Sequence, residues 1–113
     1  MNARVRIPDG MDGMNKTEMA WSNELEIGKR AGEIVHWGFE TVKLRLAPSA
    51  WYTPDFFVVL PSGGIEIHET KGFMREAARV RLLTAASLYP WFVFKLVKKG
   101  KGKRGPRWVV DVI

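Results

Sequence analysis

Asp55, Glu69 and Lys71 are the residues whose types and spacing suit them to chemistry. The stretch "GGIEIHETKGF", residues 63–73, reads as a strand with Ile65, Ile67, Glu69 and Lys71 on one face and Glu66, His68 and Thr70 on the other. The isoleucine face is the one to bury, yet it ends on a carboxylate and an ammonium. Charges on a buried face are costly unless paired, hydrogen-bonded or bound to a metal. The alternative is a strand that leaves the sheet at Glu69 and solvates the pair. Asp55 opens the preceding strand, and an antiparallel turn at "PSGG" places it opposite the Glu69 to Lys71 stretch. Two carboxylates at one sheet edge suit a hard ion, Mg²⁺ or Mn²⁺, held through oxygen. Such an ion polarises a phosphodiester and lowers the pKa of a bound water, and Lys71 is suited to orient that water or to neutralise transition-state charge. Without a metal the cluster is a surface salt bridge of little consequence.

These residues need a scaffold, and the sequence predicts one. Residues 1–13, with Pro8, Gly10 and Gly13 and little periodicity, read as a loosely held arm, and residues 14–113 as a single domain. "NKTE" has the form of a helix-capping box, with Asn15 as cap and Glu18 three residues on. A helix over about Lys16–Ala31 follows, closed by Gly32. Val42, Leu44 and Leu46 alternate with Lys43 and Arg45 as in a half-buried strand, ended by Pro48 and Ser49. "YTPDFFVVL" is apolar enough for a central strand and forms a hairpin with the next. "REAARVRLLTAASLY" predicts a helix with Ala78, Leu82, Ala85 and Tyr89 on one stripe, then "WFVFKLV" and "WVVDVI" two more strands. The order helix, three strands, helix, strand, strand implies an α/β fold: a mixed sheet flanked by helices, with one parallel crossover.

Composition narrows the function classes. With 113 residues the chain has room for one core, and five tryptophans and six phenylalanines can fill it. Cysteine is absent, which excludes disulfides and thiolate metal sites. No apolar run approaches the roughly 20 residues that span a bilayer, and the first residues carry no apolar secretion segment, so the expectation is a cytoplasmic protein without a membrane partner. A formal net charge of +6 favours polyanionic partners.

"YTPDF" and "EIHETKGF" together resemble the Pro-Asp…(Asp/Glu)-x-Lys signature of the restriction-endonuclease-like nuclease superfamily, whose core has the element order read above. Further blocks, "NKTEMAW", "RAGEIVHW", "FETVKLRLA", "YTPDFFVVL", "HETKGF", "ARVRLLTAASLYPWF" and "RWVVD", resemble the small phage-encoded nucleases related to endonuclease I, which resolve Holliday junctions. The resemblance covers most of the chain from Asn15 onward. It implies a Mg²⁺-dependent endodeoxyribonuclease acting on branched DNA, working as a homodimer inside a bacterial host. It further implies Asp55 and Glu69 as metal ligands with the Thr70 carbonyl as a third, Lys71 assisting the attacking water, and an acidic residue from the first helix, best matched by Glu18. The capping box explains Glu18 equally well, and Glu24 and Glu26 are rivals. Threonine stands at position 70 where an aliphatic residue is usual; its side chain is expected to face away from the site.

Arg75 and Arg79, one helical turn apart, are placed to meet phosphates near the site, with Arg81 nearby. Lys101, Lys103 and Arg104 in "KKGKGKRGPR" form a flexible basic loop suited to sequence-independent phosphate contact; both groups also read as solvated surface. His68, on the strand face opposite Glu69, reads as structural or DNA-contacting, His36 as packing, and Glu40 as a solvated strand residue, with a carboxylate supporting the metal ligands as the alternative. The tryptophans at 21, 37, 51, 91 and 108 read as core or dimer contacts. A non-catalytic DNA-binding protein and an RNA-directed nuclease are the competing functions.

Overall fold

In a computed structural model, which describes residues 3–5, 13–70, 74–105 and 107–113, the chain folds as an α/β unit. Its elements run in order as β1 (Ala3–Val5), α1 (Lys16–Arg30), β2 (His36–Phe39), β3 (Val42–Ala47), β4 (Ala50–Tyr52), β5 (Phe56–Val59), β6 (Ile65–Glu69), α2 (Glu76–Leu88), β7 (Phe92–Lys99) and β8 (Trp108–Val112). Five strands form a mixed sheet in the order β2-β5-β6-β7-β8, and β1, β3 and β4 form a second sheet. No helix among the described residues is long and apolar enough to cross a membrane.

The capping box forms as the spacing predicts. The Glu18 N–H donates to Asn15 Oδ1 at 2.8 Å, and the Asn15 N–H donates to Glu18 Oε1 at 2.9 Å. Two otherwise orphaned donors are thereby satisfied and the start of α1 is set. At the other end Ala31 is the cap residue, and Gly32 takes φ +80°, a conformation that L side chains avoid.

β5 and β6 form the expected antiparallel hairpin, with Phe56 opposite His68 and Val59 opposite Ile65. That register carries Asp55 and Glu69 to the same end of the hairpin. β6 then pairs with β7 in parallel, Ile65 beside Phe92 and Glu69 beside Leu96, as the strand–helix–strand segment requires.

The element map departs from the expectation in three places. The strand expected around Val42, Leu44 and Leu46 forms as β3, but a further strand, β2, precedes it in the other sheet, the two separated at Glu40, whose φ is +52°. Gly38 helps shape that break, since a Cβ there would come within 2.6 Å of the Thr41 side chain. "YTPDFFVVL" is likewise split: Ala50–Tyr52 turns back on β3 through Pro48 and Ser49, with Leu44 opposite Tyr52, while Phe56–Val59 joins the larger sheet. Lastly, Ala3–Val5 lies antiparallel to β3, Arg4 opposite Lys43, so a strand occupies part of the segment read as an arm.

Two cores cover the two faces of the larger sheet. Leu25 of α1 closes over Phe39, Phe56 and Val58, whereas Leu82, Ala85 and Tyr89 of the α2 segment close with Leu44 and Tyr52 over Ile67 and Phe94. Phe56, Phe94, Ile67 and Leu82 are essentially inaccessible to solvent, the condition under which apolar area contributes most to stability.

Candidate active site

β4, the hairpin of β5 and β6, and the N-terminal turns of both helices converge on one polar cavity of about 430 Å³. Its walls carry Glu18, Glu40, Asp55 and Glu69, with Arg81 as the cation among the described lining residues. Glu18, Asp55 and Glu69 are all buried, below a tenth exposed. Four carboxyl groups facing one polar space is an arrangement that folding alone disfavours.

Hydrogen bonds orient the two hairpin carboxylates. Asp55 Oδ2 accepts from the Thr70 N–H at 2.9 Å and from the Thr70 hydroxyl at 3.0 Å. Glu69 Oε2 accepts from the Tyr52 hydroxyl. Burial, followed by the negative charge of Glu69, pushes the Tyr52 phenol far above its usual range, so it serves as a proton donor to the carboxylate throughout the biological pH range. The Thr70 hydroxyl therefore turns toward the site, contrary to the alternation extrapolated from the strand. β6 ends at Glu69, and beyond a strand's end the period of two no longer holds.

Glu18 completes the cluster from α1. Its carboxyl is held above its ordinary value mainly by burial; the cap bond from Asn15 opposes this, and the charge and hydrogen-bonding proximity of Asp55, then the charge of Glu40, add to it. A raised carboxyl destabilises the fold once it ionises: the cost is absent below the unfolded value of 4.5 and fully present above the raised folded value. Glu18→Gln, which can keep the cap bond through its own side-chain oxygen, is therefore expected to raise the thermal midpoint at pH 7 by about 2–6 °C. The gain should fade to nothing near pH 4, and differential scanning calorimetry across that range checks it; a loss of stability at neutral pH would show that the cap bond outweighs the charge.

Of the other candidates, Arg81 lines the cavity and Arg75 and Arg79 do not. Arg81 follows Ala78 by three residues on α2 and shares its side of the helix, whereas Arg79 is turned about 100° away. Lys101, Lys103 and Arg104 are exposed on the β7–β8 connection and are not among the cavity residues. Glu26 accepts from the Trp37 indole at 3.2 Å and Glu24 stands 3.9 Å from Arg107, so neither rival of Glu18 enters the cluster. Lys71 lies outside the described residues.

On the opposite face of β6 a second polar chain is closed on itself. The Trp21 indole N–H donates to His68 Nδ1 at 3.1 Å, which leaves Nε2 as the donor to Glu66 at 2.9 Å, and Lys95 reaches the other oxygen of Glu66 at 2.8 Å. These bonds pull the Glu66 carboxyl down to about 2 against the cost of its burial. His68 is buried in this chain, with both ring nitrogens bonded. His36, expected to pack, is exposed on β2.

Sequence reasoning missed Tyr52 and the side chain of Thr70, and it preferred a solvated Glu40 to the one that lines the cavity. Tyr52 stands within the quoted "YTPDF", but its partnership with Glu69 depends on β4 folding against the larger sheet. Glu40 carried one usable signal, since the nearby Gly38 weakens a continuous strand. Its N–H donates to the Asp55 carbonyl at 2.8 Å, which ties the break to the site.

The donors of the cavity are oxygens, the type preferred by hard divalent cations. Among the described residues no three His, Asp or Glu side chains are grouped as a ready-made ion shell. Comparison with protein-family models, with curated proteins and with solved structures finds no match to this chain.

Proposed function

We propose that this protein is a metal-dependent endodeoxyribonuclease of the restriction-endonuclease-like kind, with branched DNA as its substrate. The observation that carries the reading is the buried convergence of Glu18, Asp55 and Glu69 on one polar cavity. The order of motif blocks from Asn15 onward and the +6 charge support it.

In this reading Asp55 and Glu69 hold a Mg²⁺ or Mn²⁺ ion, which supplies Lewis acidity toward a phosphodiester and activates water. Thr70 fixes Asp55 and Tyr52 fixes Glu69, so the ligand oxygens are oriented before the ion arrives. Glu18, with its raised affinity for a proton, is suited to accept one from the attacking water once the substrate is seated. Arg81 at the cavity wall is placed to meet a phosphate oxygen. Lys71 takes the role its motif position implies, orienting the water. Arg75, Arg79, Lys101, Lys103 and Arg104 engage phosphates farther along the strand. Cutting a four-way junction symmetrically requires two such sites, hence a homodimer.

The test is incubation of the protein with a labelled four-way DNA junction, a matched linear duplex and a matched RNA, each with Mg²⁺ or with EDTA. Metal-dependent cutting of the junction in preference to the duplex is expected. Equal cutting of both DNAs would reduce the reading to a general nuclease, and preferential cutting of RNA would replace it with a ribonuclease. Binding of both DNAs without cleavage would replace the enzyme with a non-catalytic DNA-binding protein.

A further inference from the structure

The side of α2 turned away from the core carries large apolar side chains with small residues between them. Val80 is 52% exposed, Leu83 44%, Leu88 45% and Trp91, just beyond the helix, 70%; Ala77 and Ser87 are also exposed and Thr84 is half-buried. At 100° per residue all seven fall on one stripe of about 140°, opposite the stripe of Leu82, Ala85 and Tyr89 that enters the core. The one charge on the stripe over residues 76–91 is Glu76, at its N-terminal end, and its two hydroxyls are of the kind that a helix satisfies on its own preceding carbonyls. A helix apolar on both sides is one that is covered on both sides in its working state. Trp91, read from the sequence as a core or dimer contact, stands outside the core at the stripe's end, its ring edge-on to Tyr89 at 6.4 Å.

We infer that this stripe is the contact between two copies of the chain, α2 packing antiparallel on α2 about a two-fold axis at Thr84. The side-chain sizes fit that axis. Trp91 opposes Ala77 of the second copy and Leu88 opposes Val80 of the second copy, while Leu83 enters the gap beside the shorter Thr84 and Ser87. Large residues thus meet smaller ones at both ends and at the centre. Charge also complements. Arg45 lines the groove beside Leu88 and Trp91, and the antiparallel arrangement brings to that end Glu76 from the first turn of the second copy's α2. Neither Arg45 nor Glu76 has a side-chain ion pair among the described residues. From ordinary side-chain areas, the exposed part of the stripe comes to on the order of 500 Å² per copy, so a pair reaches about 1,000 Å², the lower end for a specific interface. The dimer is accordingly concentration-dependent, and the contact leaves the carboxylate cavity, on the Ala78 and Arg81 side of α2, uncovered.

The chain's lack of cysteine permits a clean test. Thr84→Cys, a change of nearly constant volume, is expected to form an interchain disulfide on mild air oxidation, while Val109→Cys, exposed on the edge strand β8, is not. Sedimentation equilibrium should show a reversible dimer weakened at least tenfold by Leu83→Glu, a change at an exposed position whose fold circular dichroism verifies. Crosslinking through position 109 rather than position 84 would move the interface to the β8 edge and overturn the inference. A monomer at all concentrations, or a dimer indifferent to Leu83→Glu, would overturn it as well. None of these readouts involves cleavage, so the α2 contact and the nuclease reading stand or fall separately.

Discussion

Asp55→Asn is expected to lower the metal-dependent cleavage rate by about 10³-fold or more, equivalent to about 4 kcal/mol of transition-state stabilisation. Asn is nearly isosteric and its side-chain oxygen can still accept from the Thr70 N–H and hydroxyl, the bonds that hold Asp55 in the native protein, so the loss should come from the missing charge and not from misfolding. A second readout separates the two causes. If Asp55 holds the ion, adding Mg²⁺ to saturation at about 100 times its dissociation constant stabilises the native protein by about 2.7 kcal/mol, and this gain should vanish in Asp55→Asn. In the absence of metal the variant should be the more stable of the two, because it relieves the repulsion felt by Glu18 across the cavity. Cleavage at the native rate, or an equal thermal response of both proteins to Mg²⁺, would remove Asp55 from the proposed metal site.

Phe56→Ala is expected to cost about 3–5 kcal/mol of stability, as aromatic truncations in close-packed cores do. Phe56 is fully buried, and its ring stands 5.4 Å from Phe39 and 6.0 Å from Trp37. These residues come from the paired strands β5 and β2. Total stabilities of about 5–15 kcal/mol are usual for domains, so the variant should be marginal at room temperature. Urea unfolding checks this: the midpoint should fall with the slope unchanged, since the surface exposed on unfolding is nearly the same. The change also adjoins Asp55, so activity should fall before the midpoint is reached as the hairpin end loosens. A midpoint shift worth under about 1 kcal/mol would show that the α1 core can collapse around the gap.

Much of this was legible in one dimension. The capping box at Asn15 and Glu18, the hairpin turn at "PSGG" and the helix from Glu76 rest on local chemistry between residues a few positions apart, and such chemistry survives into the fold because nothing distant competes with it. Hairpin register then makes Asp55 and Glu69 neighbours by arithmetic alone, since antiparallel pairing about one turn leaves little choice.

The rest was decided by tertiary contact. The apolar run 52–60 looks continuous, yet it divides between two sheets, and β2 ahead of the expected strand at Val42 joins the other sheet, because an apolar residue is equally content in any core and only global packing selects which. Glu40, Tyr52 and Arg81 reach the cavity from a strand break, a short hairpin and a helix turn that no local pattern ties to Asp55. The Thr70 side chain escaped for a related reason, as alternation fails one residue past the strand's end. Apolar residues on both sides of α2 were visible in its sequence, but only burial of one side reveals that the other is unpartnered. Thus the sequence by itself determined the carboxylate pair and the elements that carry it, through short-range hydrogen bonding and turn geometry. Only the tertiary structure decided that four carboxyl groups share one cavity, because their proximity depends on contacts between elements far apart in the chain.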